Sequence, residues 1–170
     1  MPLSMYSASV PVFKRQLTAM LGWLDKAEAH AQARKFDAAN FLQARLAPDM
    51  LPFVSQIRIA SDNAKGCVAR LAGAEIPKFE DNEASLDELR QRIRKTLDYI
   101  ASVPAEAFDG SDERDITLTV RNRDPFTFKG AFYLNHWALP NFFFHVTTAY
   151  ALLRHNGVEV GKADFLALGS

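Results

Sequence analysis

From Gly130 to Leu153 the chain carries no Asp, Glu, Lys or Arg, and the same run holds His136 and His145. A charge-free stretch of this length has three physical outlets: a membrane span, a buried metal-binding helix, or the central helix of a core. Its length suits a bilayer. Its composition does not, because Asn135, His136, Asn141, His145, Thr147, Thr148 and Pro140 interrupt it, and polar groups at that density are costly in lipid. No second segment offers itself as a membrane partner, so the run reads as a helix of a water-soluble core, beginning near Gly130 and stopping at Asn156-Gly157 with a left-handed cap. Pro140 within it removes a backbone hydrogen bond and predicts a kink.

Three further segments carry a helical period. Val10, Phe13, Leu17, Met20, Leu21 and Leu24 recur at spacings of three and four, predicting an amphipathic helix over 7–33. Phe53, Ile57, Ala60, Ala64, Val68 and Leu71 form the stripe of a second, from about Met50 to Leu71, with Asp49 as its N-cap and Gly73 as its stop. Before it, 35–52 holds a short, partly helical piece and the turn LAPD at 46–49. Ser85 and Glu88 have the spacing of a capping box. Leu86, Leu89, Ile93, Leu97 and Ile100 follow as a third stripe, closed by Pro104. The connection 74–84, with Pro77 and several acids, reads as exposed, and Asp62 and Lys65 as the solvated end of the second helix.

Between the third and fourth helices the period changes to two. Ile116, Leu118 and Val120 alternate with Thr117 and Thr119, and Phe126 and Phe128 flank Thr127, with a turn over Asn122 to Pro125. This predicts a small β-hairpin, too small to stand alone and therefore packed over the helices. The expected fold is all-α: a single domain over 1–170, a four-helix bundle with one hairpin inserted between helices 3 and 4.

The totals narrow the function. At 170 residues and 48% hydrophobic the chain can bury a core. Twenty basic residues balance twenty acidic ones, so no overall field favours nucleic acid or an anionic membrane. Cys67 is the single cysteine; it fits a reducing cytoplasm, forms no internal disulfide, and in an apolar stripe reads as inert packing. The N-terminal residues MPLSMYSASVPVF lack the pattern of a signal peptide. There is no glycine-rich phosphate loop, nucleophile elbow or His-Glu-x-x-His pair.

The candidate chemistry sits on the fourth helix. At about 100° per residue, His136 and His145 fall on opposite sides and cannot share an ion. Asn141 and His145, four apart, lie on one face, and Thr148 continues it. On the second helix Asp49 and Gln56 share a face and are the polar partners within reach. Asp49, Gln56, Asn141, His145 and Thr148 are thus the expected pocket. A histidine flanked by Phe142, Phe143 and Phe144 is also well explained as a core histidine hydrogen-bonded to a neighbouring helix. His30 and His155 read as helix-end surface residues, and Phe13 and Trp23 as core.

The helix order, together with SMYSASVPVF at 4–13, RLAPDM at 45–50 and LPNFFFH at 139–145, resembles the DinB/YfiT-like bundles. Within them it is most similar to an uncharacterised bacterial branch, domain of unknown function nineteen-ninety-three. The resemblance spans nearly the whole chain. In the wider superfamily three histidines, one from helix 2 and a His-x-x-x-His pair from helix 4, bind a divalent metal, and some members are thiol-dependent transferases or hydrolases. By that resemblance His145 matches the second histidine of the pair, Asn141 stands at the first, and helix 2 has none. The implied reading is a degenerate metal site reduced to a polar pocket for a small-molecule ligand. The alternatives are a divalent metal (zinc, nickel or manganese) held by Asp49, Asn141 and His145 for hydrolysis or thiol transfer, and a structural homodimer joined through bundle surfaces and the hairpin edge.

Overall fold

The computed structural model describes residues 4–119 and 124–168. Helix α1 (Met5–Arg34) starts two residues earlier than its apolar period predicts, because Ser4 and Ser7 cap each other across the first turn. Helix α2 (Phe53–Ala72) ends on Gly73 at φ 68°, the left-handed stop that the sequence signals. Helix α3 (Leu86–Ser102) is capped by Ser85, whose Oγ accepts from the Glu88 amide, while the Glu88 carboxylate reaches back to the amide of Ala84.

The hairpin forms between β1 (Asp115–Leu118) and β2 (Phe126–Lys129), antiparallel, with Ile116 opposite Phe128 and Leu118 opposite Phe126. Ile116 and Leu118 face the bundle and are buried. Thr117 and Thr127 join their hydroxyls on the outer face, 2.9 Å apart. Val120 and Asn122 of the expected strand and turn lie outside the described residues. The chain then enters its last rod without a gap. Gly130 permits this: a Cβ there would stand 1.8 Å from the carbonyl oxygen of Ser111, so only glycine lets the two backbones pass.

The last rod is α4 (Gly130–Tyr133), one π-helical turn (Leu134–Ala138) and α5 (Leu139–His155). The sequence predicts a kink at Pro140; the structure places Pro140 in the first turn of α5, after the wider turn. Its missing N–H is absorbed there, since the amide of Leu139 bonds back five residues to Leu134. Gly157, at φ 87°, follows the helix end as expected.

α2 packs against α5 and α3, and α1 packs against α3. Phe13, Trp23, Phe53 and Phe142 are among the largest fully buried side chains, and Phe13 meets Phe142 edge-on at 4.8 Å between centroids. The C-terminal segment, which no sequence signal marked, folds back on α1. Short helix α6 (Lys162–Phe165) stacks Phe165 on Trp23, whose indole N–H donates to the Asp164 carbonyl. Among the described residues no helix is long and apolar enough to cross a membrane.

Candidate functional site

Helices α2 and α5 run antiparallel, which is visible in how their polar side chains pair. His145 on α5 meets Gln56 on α2, with Nδ1 and Oε1 2.7 Å apart. One layer along, the Asn141 amide donates to Oδ1 of Asn63 at 3.2 Å. Gln56 and Asn63 are seven residues apart and so share a face of α2; Asn141 and His145, four apart, share a face of α5.

The orientation of His145 follows from its neighbours. The Gln56 NH₂ donates to the carbonyl of Leu51 at 2.9 Å, which turns Oε1 toward the imidazole. An amide oxygen only accepts, so Nδ1 carries the proton. Burial holds His145 below its ordinary pKa, because the charged form would lose its hydration. The ring is therefore neutral, and the Nε2 lone pair has no partner among the described residues. Nearby, Nδ2 of Asn63 is buried without any acceptor among the described residues. Among the described residues α5 leaves Nε2 of His145 without a partner, and α2 leaves Nδ2 of Asn63 and Oγ of Ser61 buried without one.

The other expected site residues fall elsewhere. Thr148 donates to the Phe144 carbonyl of its own helix at 2.7 Å. Asp49 is exposed in a turn before α2 and its side chain has no hydrogen bond or ion pair among the described residues. It is not the N-cap: Pro52 occupies that position, with no side-chain cap bond. The reason is local. Pro52 holds an extended backbone (ψ 168°) and delays the helix to Phe53. Among the described residues no three His, Cys, Asp or Glu side chains come together in a way that could hold a metal ion.

The remaining histidines stand apart. His136 is exposed, with its ring 4.4 Å from that of Phe132. His155 is exposed, and His30 is half-buried against Phe36 and Phe41 rather than free on the surface. Cys67 is fully buried, and burial pushes its thiol up to about 12, which fits packing and not nucleophilic chemistry.

A second polar cluster was not legible as such. Lys65 is buried, not solvated: its ammonium donates to the Pro77 carbonyl, pairs with Asp62 and stands 4.6 Å over the Phe79 ring. The connection 74–84 is accordingly not a loose linker. Its Glu83, 7% exposed, binds Arg58 and Arg92, and Arg92, 2% exposed, also takes Asp62 and Asp81. Burial works against the charge of Glu83, but the hydrogen bonds from Arg92 and Arg58 prevail and hold its carboxyl below the usual range. The available signal was a phenylalanine set among the connection's acids, opposite helices carrying Arg58 and Arg92.

A bundle of this helix order, with a hairpin before the last rod, is a DinB-like fold. A crystal structure of a DinB family member protein from Shewanella denitrificans superposes with a TM-score of 0.89 at 40% identity, covering 95% of this chain and 91% of that one. The sequence model of the family described as "Domain of unknown function (DUF1993)" matches residues 5–166. The chain belongs to that family. Among curated proteins nothing matches it.

Proposed function

We propose that this chain is a metal-free DinB-like bundle that binds a small neutral polar molecule between α2 and α5. The observation that carries the reading is the fixed, neutral His145: Gln56 claims its Nδ1 proton and leaves the Nε2 lone pair without a partner among the described residues. With the orphaned donor Nδ2 of Asn63 one layer away, the pair suits a ligand that both donates and accepts, such as an amide or a hydroxy-carbonyl compound. Buried polar groups without partners are otherwise costly, at about 1–3 kcal/mol each.

The donor set supports the loss of a metal site. Gln56 orients His145 as a supporting residue orients a metal-bound imidazole, but the companion ligands are missing. Asn141 turns its amide to Asn63, Asp49 is exposed, and α2 supplies no imidazole. A divalent ion of the zinc or nickel type is held by three or more nitrogen, sulfur or carboxylate donors. One imidazole does not meet that need.

The test is ligand and metal binding on the full chain, comparing wild type with His145→Ala and Asn63→Leu. Zinc, nickel and manganese are titrated by calorimetry, and a set of small amides and hydroxy acids is screened by saturation-transfer NMR. The reading expects hits among the neutral compounds that both variants weaken, with no stoichiometric metal binding dependent on His145. Tight metal binding lost in His145→Ala would overturn it in favour of a rebuilt metal site. An absence of neutral hits would overturn it in favour of a purely structural histidine.

A further inference from the structure

α1 and α5 run parallel: Phe13 meets Phe142, Trp23 meets Tyr150 and His30 meets Gly157, in the same order along both. Their C-terminal ends therefore lie together at one end of the bundle. There, Lys26, His30 and Arg34 recur every four residues of α1 and so form one row. Ala29 and Ala33 beside the row take up little space. The segment that follows α5 faces the row, and Lys26 pins it by donating to the Glu159 carbonyl at 3.1 Å and to the Asp164 carboxylate at 2.7 Å. Between row and segment lies an open hollow of about 430 Å³.

The groups around this hollow are unmatched. Arg34 and Glu159 both line it, and among the described residues their exposed side chains make no hydrogen bond or ion pair, with each other or with a third group. Opposite charges thus face one hollow from two walls without closing on each other. His30, in the middle of the row, packs its ring against Phe36 and Phe41. A Cβ at Gly157 would lie 3.4 Å from its Cε1 and 3.7 Å from its Nε2, so that edge of the ring faces bare backbone. Neither ring nitrogen has a hydrogen-bond partner among the described residues. Lys26 has two of its three donors engaged and one to spare. Arg34, in the last turn of α1, also suits that helix's dipole. Glu159 has no such reason, since an acid just past the C-terminus of α5 gains nothing from the dipole there.

We propose that this hollow binds a small zwitterion, a molecule carrying one carboxylate and one ammonium, of the free amino acid class. The planar fork of Arg34 takes the carboxylate in two parallel bonds, and His30, next in the row, donates a ring N–H to it. Glu159 takes the ammonium, and the C-terminus of α5, the negative end of its dipole, adds to the attraction. A simple anion would be repelled by Glu159 and a simple cation by Arg34. A ligand of both signs satisfies both walls, which makes the pairing selective. Gly157 lies twelve residues beyond His145, about 18 Å at about 1.5 Å per residue. The site is therefore separate from the one between α2 and α5 and independent of the reading given to it.

The experiment is proton NMR of the full chain, following the His30 ring signals as glycine, β-alanine and γ-aminobutyrate are added. The signals are assigned by their loss in His30→Gln, and acetate and methylammonium serve as singly charged controls. At least one zwitterion is expected to shift the His30 signals saturably and leave those of His145 in place, with both controls about ten-fold weaker or more. Arg34→Gln and Glu159→Gln, both at exposed positions, keep the helical circular dichroism. Each weakens that zwitterion by about ten-fold or more, as loss of a charged hydrogen bond does. No saturable shift with any of the three would overturn the proposal. So would acetate binding as tightly, which marks a plain anion patch, or Glu159→Gln binding like wild type. A shift confined to His145 would put the ligand in the other site and overturn it as well.

Discussion

The Nδ1 of His145 and the Oε1 of Gln56 lie 2.7 Å apart, joining α5 to α2 across a buried interface. Because Gln56 is itself held by the Leu51 carbonyl, the bond fixes both amide orientation and imidazole tautomer. Gln56→Leu leaves the Nδ1 proton buried without an acceptor, and is expected to cost about 1–3 kcal/mol. Urea unfolding checks this. Gln56→Glu sets a carboxylate beside the ring and should raise the His145 pKa, read from the imidazole carbon-bound protons by NMR titration. An unchanged His145 titration in Gln56→Glu would mean that the two side chains do not touch.

His145 also sets a pH dependence. Its folded pKa lies below the ordinary value of 6.5 because burial penalises the charged ring. Between the folded and unfolded values the unfolded chain binds more protons than the native one, so stability rises with pH there. The contribution is complete above the unfolded pKa and is lost as pH falls through the folded one. Urea midpoints should therefore drop between neutral and mildly acidic pH, and His145→Gln should flatten that part of the profile.

Most of the helices could be read from apolar spacing, because the stripe of α2 from Phe53 to Leu71 is a local pattern that its packing partners reinforce. The caps at Gly73 and Gly157 were legible for the same reason: left-handed backbone selects glycine locally. What escaped depends on distant chain. Lys65 is buried because the connection folds back twelve residues later to offer the Pro77 carbonyl and the Phe79 ring, and periodicity within α2 says nothing of that. Asp49 looked like a cap, but Pro52 dictates the start of the helix. The pairing of Gln56 with His145 could be guessed from faces; Asn63 as the partner of Asn141 could not, since a mid-helix asparagine has no pattern of its own.

The Arg92–Glu83 pair makes a different demand on pH. Glu83 has a folded pKa below 4.5, so the stability it contributes is present above the unfolded value and is lost as pH falls through the folded one. Arg92→Met removes one of the two arginine partners of a carboxylate that is only 7% exposed and leaves Arg58 on it, and should cost about 1.5–3 kcal/mol, as loss of a charged hydrogen bond does. Asp81→Ala breaks an ion pair whose acid is 61% exposed, and should cost under about 1 kcal/mol. Thermal melts of the two variants side by side separate them. Equal losses would mean that the network acts as a screened surface array and does not pin the connection onto α2 and α3.

Gly130 offers the sharpest test of the hairpin's docking. The carbonyl oxygen of Ser111 occupies the place of a side chain at 130, 1.8 Å from where a Cβ would stand. The obstacle is backbone, held in turn by the Ala131 amide, which donates to the Asp112 carbonyl at 2.9 Å. Neither side can yield by rotating a side chain. Gly130→Ala should therefore push the 111–115 segment off the start of the last rod, with a loss of about 3 kcal/mol, at the upper end of overpacking penalties. Elsewhere an alanine in a helix's first turn favours the helix by up to about 1 kcal/mol over glycine, so the two effects oppose each other in sign. A destabilised variant with faster amide exchange in β1 and β2 identifies the steric term as dominant. A stabilised one would mean that the hairpin rests farther from the helix than this structure places it.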